Sequence, residues 1–163
     1  MKKVIQGPVL KYGDNINTDI ISPPQYMELS IEEASRYAMS GVDPDFSKKC
    51  KPGTILAVGY NFGSGSSRET SPMSLKYLGV QAIIAKSFAR IFYRNAINLG
   101  LVLVECADTD DFVDGDILEL SLEEGAIQNN NSGRTYSCTK LPPHLTTLIA
   151  DGGLFEHLKK TIY

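Results

Sequence analysis

Three short apolar runs, TILAVGY (54–60), VQAIIAKS (80–87) and LVLVE (101–105), restrict the folds open to this chain more than any other feature. Each is too short for a buried helix and reads as a strand covered on both faces. Between them lie SPMSLKYLG (71–79) and FARIFYRNAINLG (88–100), both helical in character. Strand, loop, helix, strand, helix and strand over 54–105 imply parallel pairing with right-handed crossovers. Ser71 is expected to cap the first helix with Pro72 at its first position, and Gly100 to close the second.

The flanks read differently. KVIQGPVLKYG at the start alternates weakly as a strand, with Gly7-Pro8 as a bend or edge feature. GDNINTDIISPP (13–24) is dense in turn formers and ends on two prolines. LSIEEASRYAM (29–39) predicts a helix, because Ser30 and Glu33 form a capping box. The last third, DGDILELSLEEGAIQNNNSGRTYSC, suggests antiparallel strands with an exposed turn at Asn129–Gly133, and DGGLFEHLKKTIY closes the chain as an amphipathic helix. The expectation is one domain over residues 1–163: α/β, with a largely parallel central sheet and an additional antiparallel part.

A net charge of −3 supplies no basic field for nucleic acid. No apolar run has the roughly 20 residues a membrane helix needs, and no signal peptide is visible at the N-terminus, so a cytoplasmic location is expected. The three cysteines, Cys50, Cys106 and Cys138, lie far apart, and with two histidines present no metal site is expected on this chain.

The chemistry gathers in NFGSGSSRET (61–70), where the strand at 54–60 gives way to a helix. Gly65-Ser66-Ser67 lacks the lysine of a Walker loop, and Arg68 stands where a dinucleotide fingerprint needs its third glycine. A helix N-terminus, the hydroxyls of Ser64, Ser66 and Ser67, and the planar fork of Arg68 describe a carboxylate clamp. A serine surrounded by donors beside an arginine is also a candidate proton acceptor. The structural alternative is a turn at the sheet edge with Arg68 paired to Glu69 or another acid.

GDNINTDIISP (13–23), NFGSGSSRE (61–69) and KSFARIFYRNAINLGL (86–101) together resemble the swivelling domain of the aconitase superfamily. In stand-alone form such domains are the small subunits of 3-isopropylmalate dehydratases and their close relatives. The resemblance runs from about residue 7 to about residue 105 and implies a three-layer β/β/α fold. It also implies a hydro-lyase active only with a separate large subunit, which carries a [4Fe-4S] cluster; none is bound by this chain. Ser66 matches the catalytic serine base, Ser67 a carboxylate donor beside it, and Arg68 the arginine that binds a substrate carboxylate. Asp19 matches an aspartate that faces a catalytic histidine of the large subunit. Arg90, Arg94 and Asn95 are read as structural, and Phe62, Phe88, Phe92 and Tyr93 as core aromatics. Two departures stand out: Thr70 where the family often has histidine, and Ser64 where it often has cysteine.

In two-subunit relatives the loop after the matching aspartate touches the variable part of a malate-derivative substrate. Here it reads Tyr26-Met27-Glu28-Leu29. Homoaconitase-type loops carry arginine where this one has Glu28, so a third carboxylate would meet repulsion. An isopropyl group would pack against Met27 or Leu29. The expectation is therefore 3-isopropylmalate, with citramalate, dimethylmalate or homoaconitate as alternative substrates. Outside enzymes, the alternative is a stand-alone anion-binding module, and copies of this chain are an alternative partner when it is isolated.

Overall fold

The computed structural model describes residues 4–66 and 68–162. In chain order its elements are β1 (Val4–Lys11), α1 (Thr18–Ile21), α2 (Ile31–Ser35), α3 (Phe46–Lys49), β2 (Thr54–Ala57), α4 (Thr70–Leu78), β3 (Val80–Ala85), α5 (Arg90–Asn98) and β4 (Val102–Glu105). There follow β5 (Ile117–Ser121), β6 (Ala126–Asn129), β7 (Thr135–Ser137), α6 (Pro143–Ala150) and α7 (Leu154–Ile162), with single 3₁₀ turns at Pro24–Tyr26 and Thr109–Asp111.

The strands form a seven-stranded sheet in the order β4-β3-β2-β1-β5-β6-β7. β1, β2, β3 and β4 are parallel, and β5, β6 and β7 continue the sheet antiparallel. This is the mixed α/β arrangement expected, with α4 and α5 as the crossovers.

Alternation along the parallel strands divides the apolar residues between two cores. Leu56, Ile83, Ala85 and Leu103 face the helices, against Leu75 of α4, Phe92 and Ala96 of α5 and Leu148 of α6. Ile55, Ala57, Ala82, Ile84, Val102 and Val104 face the other way, against Leu118, Leu120, Ile127 and Phe112 of the antiparallel part. The sheet thus curls over itself into two β layers with helices outside the first, the β/β/α layering that the resemblance implies. Beyond β7 the chain reaches the β4 edge: the Thr139 amide donates to the Glu105 carbonyl at 3.0 Å, and the Glu105 amide to Thr139 Oγ1 at 2.9 Å.

Several local expectations need correction. Gly7-Pro8 is no edge feature, since β1 is central and Pro8 pairs with Ile117. Pairing with β2 begins only at Val9, whose amide points to β5 and donates to the Asp116 carbonyl at 2.9 Å. The missing N–H of Pro8 therefore falls on the side where the ladder has not started. Gly7 is required there because a Cβ would stand 2.0 Å from the Gly53 carbonyl oxygen. The segment 13–24 holds a helical turn, α1, capped by Asn17 Oδ1, which accepts from the Ile20 amide at 3.0 Å. The Ser30–Glu33 cap forms, but α2 spans only five residues. α4 starts at Thr70 with Glu69 as its N-cap, so Ser71 and Pro72 lie inside its first turn. Gly100 closes α5 in the left-handed region, at φ +91°.

Candidate active site

Two loops build the site. The first, residues 13–22, leaves β1 and contains α1; the second, residues 59–69, leaves β2 and enters α4. Because β1 and β2 are parallel neighbours, both loops emerge at the same end of the sheet, where open α/β sheets place their sites.

Backbone bonds zip the loops together. The Gly59 amide donates to the Gly13 carbonyl at 3.0 Å, Asn15 to Tyr60 at 2.8 Å, Gly63 to Ile16 at 2.8 Å and Thr18 to Ser64 at 2.8 Å. Asp14 Oδ1 adds a bond from the Tyr60 amide at 2.8 Å. Behind the second loop, Phe62 is buried with its ring edge-on to Phe92 (centroids 5.2 Å apart) and to Phe88 (6.3 Å). Phe62 and Phe92 are core aromatics as expected, whereas Phe88 and Tyr93 are only partly buried against that core; together the rings pin the glycine turn to the start of α5. Gly63, at φ +86°, lies so close that a Cβ would meet the Phe92 ring at 2.3 Å.

This zipper brings Asp19, Ser66 and Arg68 together. Arg68 Nη1 meets Asp19 Oδ1 at 2.6 Å and donates to the Ser22 carbonyl at 3.2 Å. The structural alternative for Arg68 is thus present, with Asp19 rather than Glu69 as its acid. The Arg68 side chain is only 20% exposed, whereas that of Asp19 is 60% exposed and available to other groups. Ser66 is exposed, its amide donates to Thr18 Oγ1 at 3.2 Å, and its own hydroxyl lies 3.3 Å from the same oxygen. Ser22 Oγ donates to Thr70 Oγ1 at 3.2 Å, tying α1 to the first turn of α4. That turn is the positive end of a helix directly after Arg68.

The other residues selected from sequence are placed less centrally. Ser64 contributes its carbonyl to the zipper, and Ser67 lies outside the described residues. Tyr26 stacks on Tyr37 with ring centroids 3.8 Å apart, a contact that holds its loop against the turn after α2. Met27 and Leu29 beside it are 45% and 40% exposed. Arg90 begins α5 and lines a cavity of about 280 Å³ with Phe88, Tyr93, Glu105 and Lys140. Asn95 faces a second groove with Glu69, Leu99 and Phe155. Thr18 is the residue that sequence reasoning missed; its signal was adjacency to Asp19, which on its own reads as a turn.

Among the described residues no group of three His, Cys, Asp or Glu side chains is placed to hold a metal ion. Cys50 and Cys106 are buried, and Cys138 is half-buried. Burial pushes the Cys50 and Cys138 thiols up to about 11, so they stay protonated and are poor ligands and nucleophiles at neutral pH. The side chains present do not fit an iron–sulfur cluster. The one guanidinium of the turn, Arg68, already holds a carboxylate, that of Asp19.

A curled α/β sheet in β/β/α layers, with a serine–arginine turn at the open end of its parallel strands, defines a swivelling domain of the aconitase kind. A family model described as the aconitase C-terminal domain matches residues 12–109. The 3-isopropylmalate dehydratase small subunit of Nautilia profundicola is 47% identical over 160 residues, 98% of this chain and 96% of that protein. The isopropylmalate/citramalate isomerase small subunit of Methanocaldococcus jannaschii is 48% identical over 162 residues, with 98% and 96% covered. A crystal structure of 3-isopropylmalate dehydratase from the same organism superposes with a TM-score of 0.91 at 42% identity, over 98% of this chain and 96% of that one. Thermococcus kodakaraensis aconitase X, at 17% identity and a TM-score of 0.51, shares the fold alone. The chain belongs to the aconitase C-terminal domain family, among the 3-isopropylmalate dehydratase small subunits.

Proposed function

We propose that this subunit, acting as one swivelling unit over its whole length, serves a hydro-lyase that interconverts 2-isopropylmalate and 3-isopropylmalate through 2-isopropylmaleate, a step in leucine biosynthesis. The observation that supports this most is the convergence of Ser66, Arg68 and Asp19 beside the N-terminus of α4, although they come from two separate loops.

Arg68 binds the carboxylate next to the carbon that loses its proton. Its present partner is mostly exposed, so water can take over the Asp19 carboxylate when a substrate carboxylate replaces it at Arg68. Ser67 is a second donor to that carboxylate, and Ser64 lies at the edge of the same turn. Ser66, as the alkoxide, takes the proton and becomes a hydroxyl. The C–H electron pair becomes the second bond of the alkene, and the hydroxyl on the adjacent carbon leaves as water with a proton from an acid of the large subunit. Rehydration returns the Ser66 proton to carbon and restores the alkoxide. Arg68 also offsets the negative charge that builds up on the carboxylate as the proton departs.

The [4Fe-4S] cluster belongs to the large subunit in this proposal, and this chain's tasks are binding and proton transfer. Asp19, released from Arg68, faces a histidine of that subunit. Tyr26, Met27 and Leu29 receive the isopropyl group, with the Tyr26–Tyr37 stack setting the loop. Assembly takes place in the cytoplasm; among the described residues no helix is long and apolar enough to cross a membrane. Citramalate is a second substrate to consider, because the Methanocaldococcus jannaschii relative carries both substrates in its name.

The test is anaerobic turnover by this chain mixed with its cluster-loaded large subunit, following the ultraviolet absorbance of the alkene. Turnover of 3-isopropylmalate with a Ser66→Ala loss of about 10²–10⁴-fold in kcat supports substrate and base together. Preference for citramalate keeps the base and changes the reading of Tyr26–Leu29. An intact, cluster-loaded complex inert towards every malate derivative overturns the proposal in favour of an anion-binding module.

A further inference from the structure

The only side-chain hydrogen-bond partner of Ser66 Oγ among the described residues is Thr18, at 3.3 Å. Thr18 is the first residue of α1 and is 2% exposed, so its hydroxyl is shielded from water. The backbone holds it on both sides. Its amide donates to the Ser64 carbonyl at 2.8 Å, and its Oγ1 accepts from the Ser66 amide at 3.2 Å. Branching at Cβ restricts its χ1.

A hydroxyl has one hydrogen and two lone pairs. With one lone pair of Thr18 Oγ1 taken up by the Ser66 amide, its hydrogen and its second lone pair both remain for Ser66 Oγ, so between the two neutral hydroxyls either can donate. In the form that accepts a proton, Ser66 has no hydrogen to give, so in that state the bond runs only from Thr18 to Ser66. A donor to an alkoxide makes a charge-assisted hydrogen bond, stronger than one between neutral hydroxyls. Gly65 permits the approach: it lies at φ +107°, and a Cβ there would stand 2.9 Å from Thr18 Oγ1.

We infer that Thr18 is a positioning residue for the reaction, orienting the Ser66 hydroxyl and donating the hydrogen bond that stabilises its alkoxide. The inference rests on Ser66 being the base. It is separate from a purely structural tie between the loops, because such a tie needs only the bond from the Ser66 amide.

Thr18→Val removes the hydroxyl while keeping shape and volume, and Thr18→Ser keeps the hydroxyl. Both are to be assayed in the reconstituted two-subunit enzyme with 3-isopropylmalate and with the same substrate deuterated at the carbon that loses its proton. The expected result for Thr18→Val is a fall of about 10- to 100-fold in kcat with little change in KM. The deuterium effect on kcat grows, because proton removal becomes the slower step. Thr18→Ser retains kcat within about threefold, as expected when the donor survives. If Thr18→Val does not assemble with the large subunit, Thr18→Ala replaces it in the same comparison.

Wild-type kcat and an unchanged isotope effect in the hydroxyl-less variant, with Ser66→Ala inactive, overturn the role of Thr18 and leave the base standing. A loss carried by KM or by subunit affinity alone overturns it as well and makes Thr18 structural. An active Ser66→Ala removes the base, and the role of Thr18 with it.

Discussion

Gly63 offers a direct test of how the site is held in place. It sits at φ +86°, and an added Cβ would meet Phe92 Cγ at 2.3 Å and Cβ at 2.5 Å. Gly133, in the turn between β6 and β7, has a similar φ of +77° but nothing within 4 Å of its Cβ position. Replacing each by alanine separates backbone strain from collision. A non-glycine residue in the left-handed region costs about 1–2 kcal/mol. The stiffer unfolded chain gives back about 0.4–1 kcal/mol. Gly133→Ala should therefore lose about 0–1.5 kcal/mol. Gly63→Ala adds forced displacement of a packed ring, about 1–3 kcal/mol more. For a chain of this size each kcal/mol lowers the melting temperature by about 2–4 °C. The two variants should differ by roughly 2–12 °C in thermal unfolding followed by circular dichroism. The Gly63 variant should also lose turnover, since the Phe92 ring backs the loop that carries Ser66. Equal melting temperatures for the two would refute the close packing of the glycine turn against α5.

Two further outcomes are expected. Glu28→Arg places a cation in the loop of Tyr26, Met27 and Leu29, so turnover of a homoaconitate-type tricarboxylate should appear or rise about tenfold relative to 3-isopropylmalate; an unchanged ratio in the alkene assay argues against this loop as the specificity element. Burial holds the Cys50 and Cys138 thiols at about 11 in the folded chain against an ordinary 9.0, so above pH 9 the unfolded chain sheds protons that the folded chain keeps. Stability should then fall as pH rises from about 9 to about 11, with Tyr12, raised by burial and its hydrogen bond to Asp43, adding the same sign above its ordinary 10.0. Urea midpoints at pH 8 and pH 10.5 check this, and a flat profile that also fails to respond to Cys50→Ala and Cys138→Ala refutes it.

The sequence disclosed most where one physical signal stood alone. The runs at 54–60, 80–87 and 101–105 are apolar throughout because both faces of the parallel layer are covered, and β2, β3 and β4 lie within them. Ser30 and Glu33 were readable as a cap because both partners lie within one turn. What escaped was settled by distant neighbours. Pro8 looks like an edge residue until the offset between the β2 and β5 ladders is known. α1 is four residues long in a segment of turn formers, and α6 begins at Pro143 with Pro142 before it and no side-chain cap. In the site, the turn itself was visible but the acid paired with Arg68 was not. Glu69 is adjacent in sequence, yet Asp19 is the partner because parallel β1 and β2 deliver its loop to the same end of the sheet.

That delivery has a consequence for assembly. The ties of the clamp join residues 45 to 49 positions apart, among them Tyr60 with Asn15, Arg68 with Ser22, Ser66 with Thr18 and Arg68 with Asp19. Contacts across such spans form only after the entropy of closing the intervening chain has been overcome, so they come late in folding. A subunit whose first strand has not docked has its serine and arginine but no surface on which they meet. The face that Ser66 and Arg68 share therefore also reports completed folding, and a partner that recognised it would take up finished copies and leave unfinished ones behind.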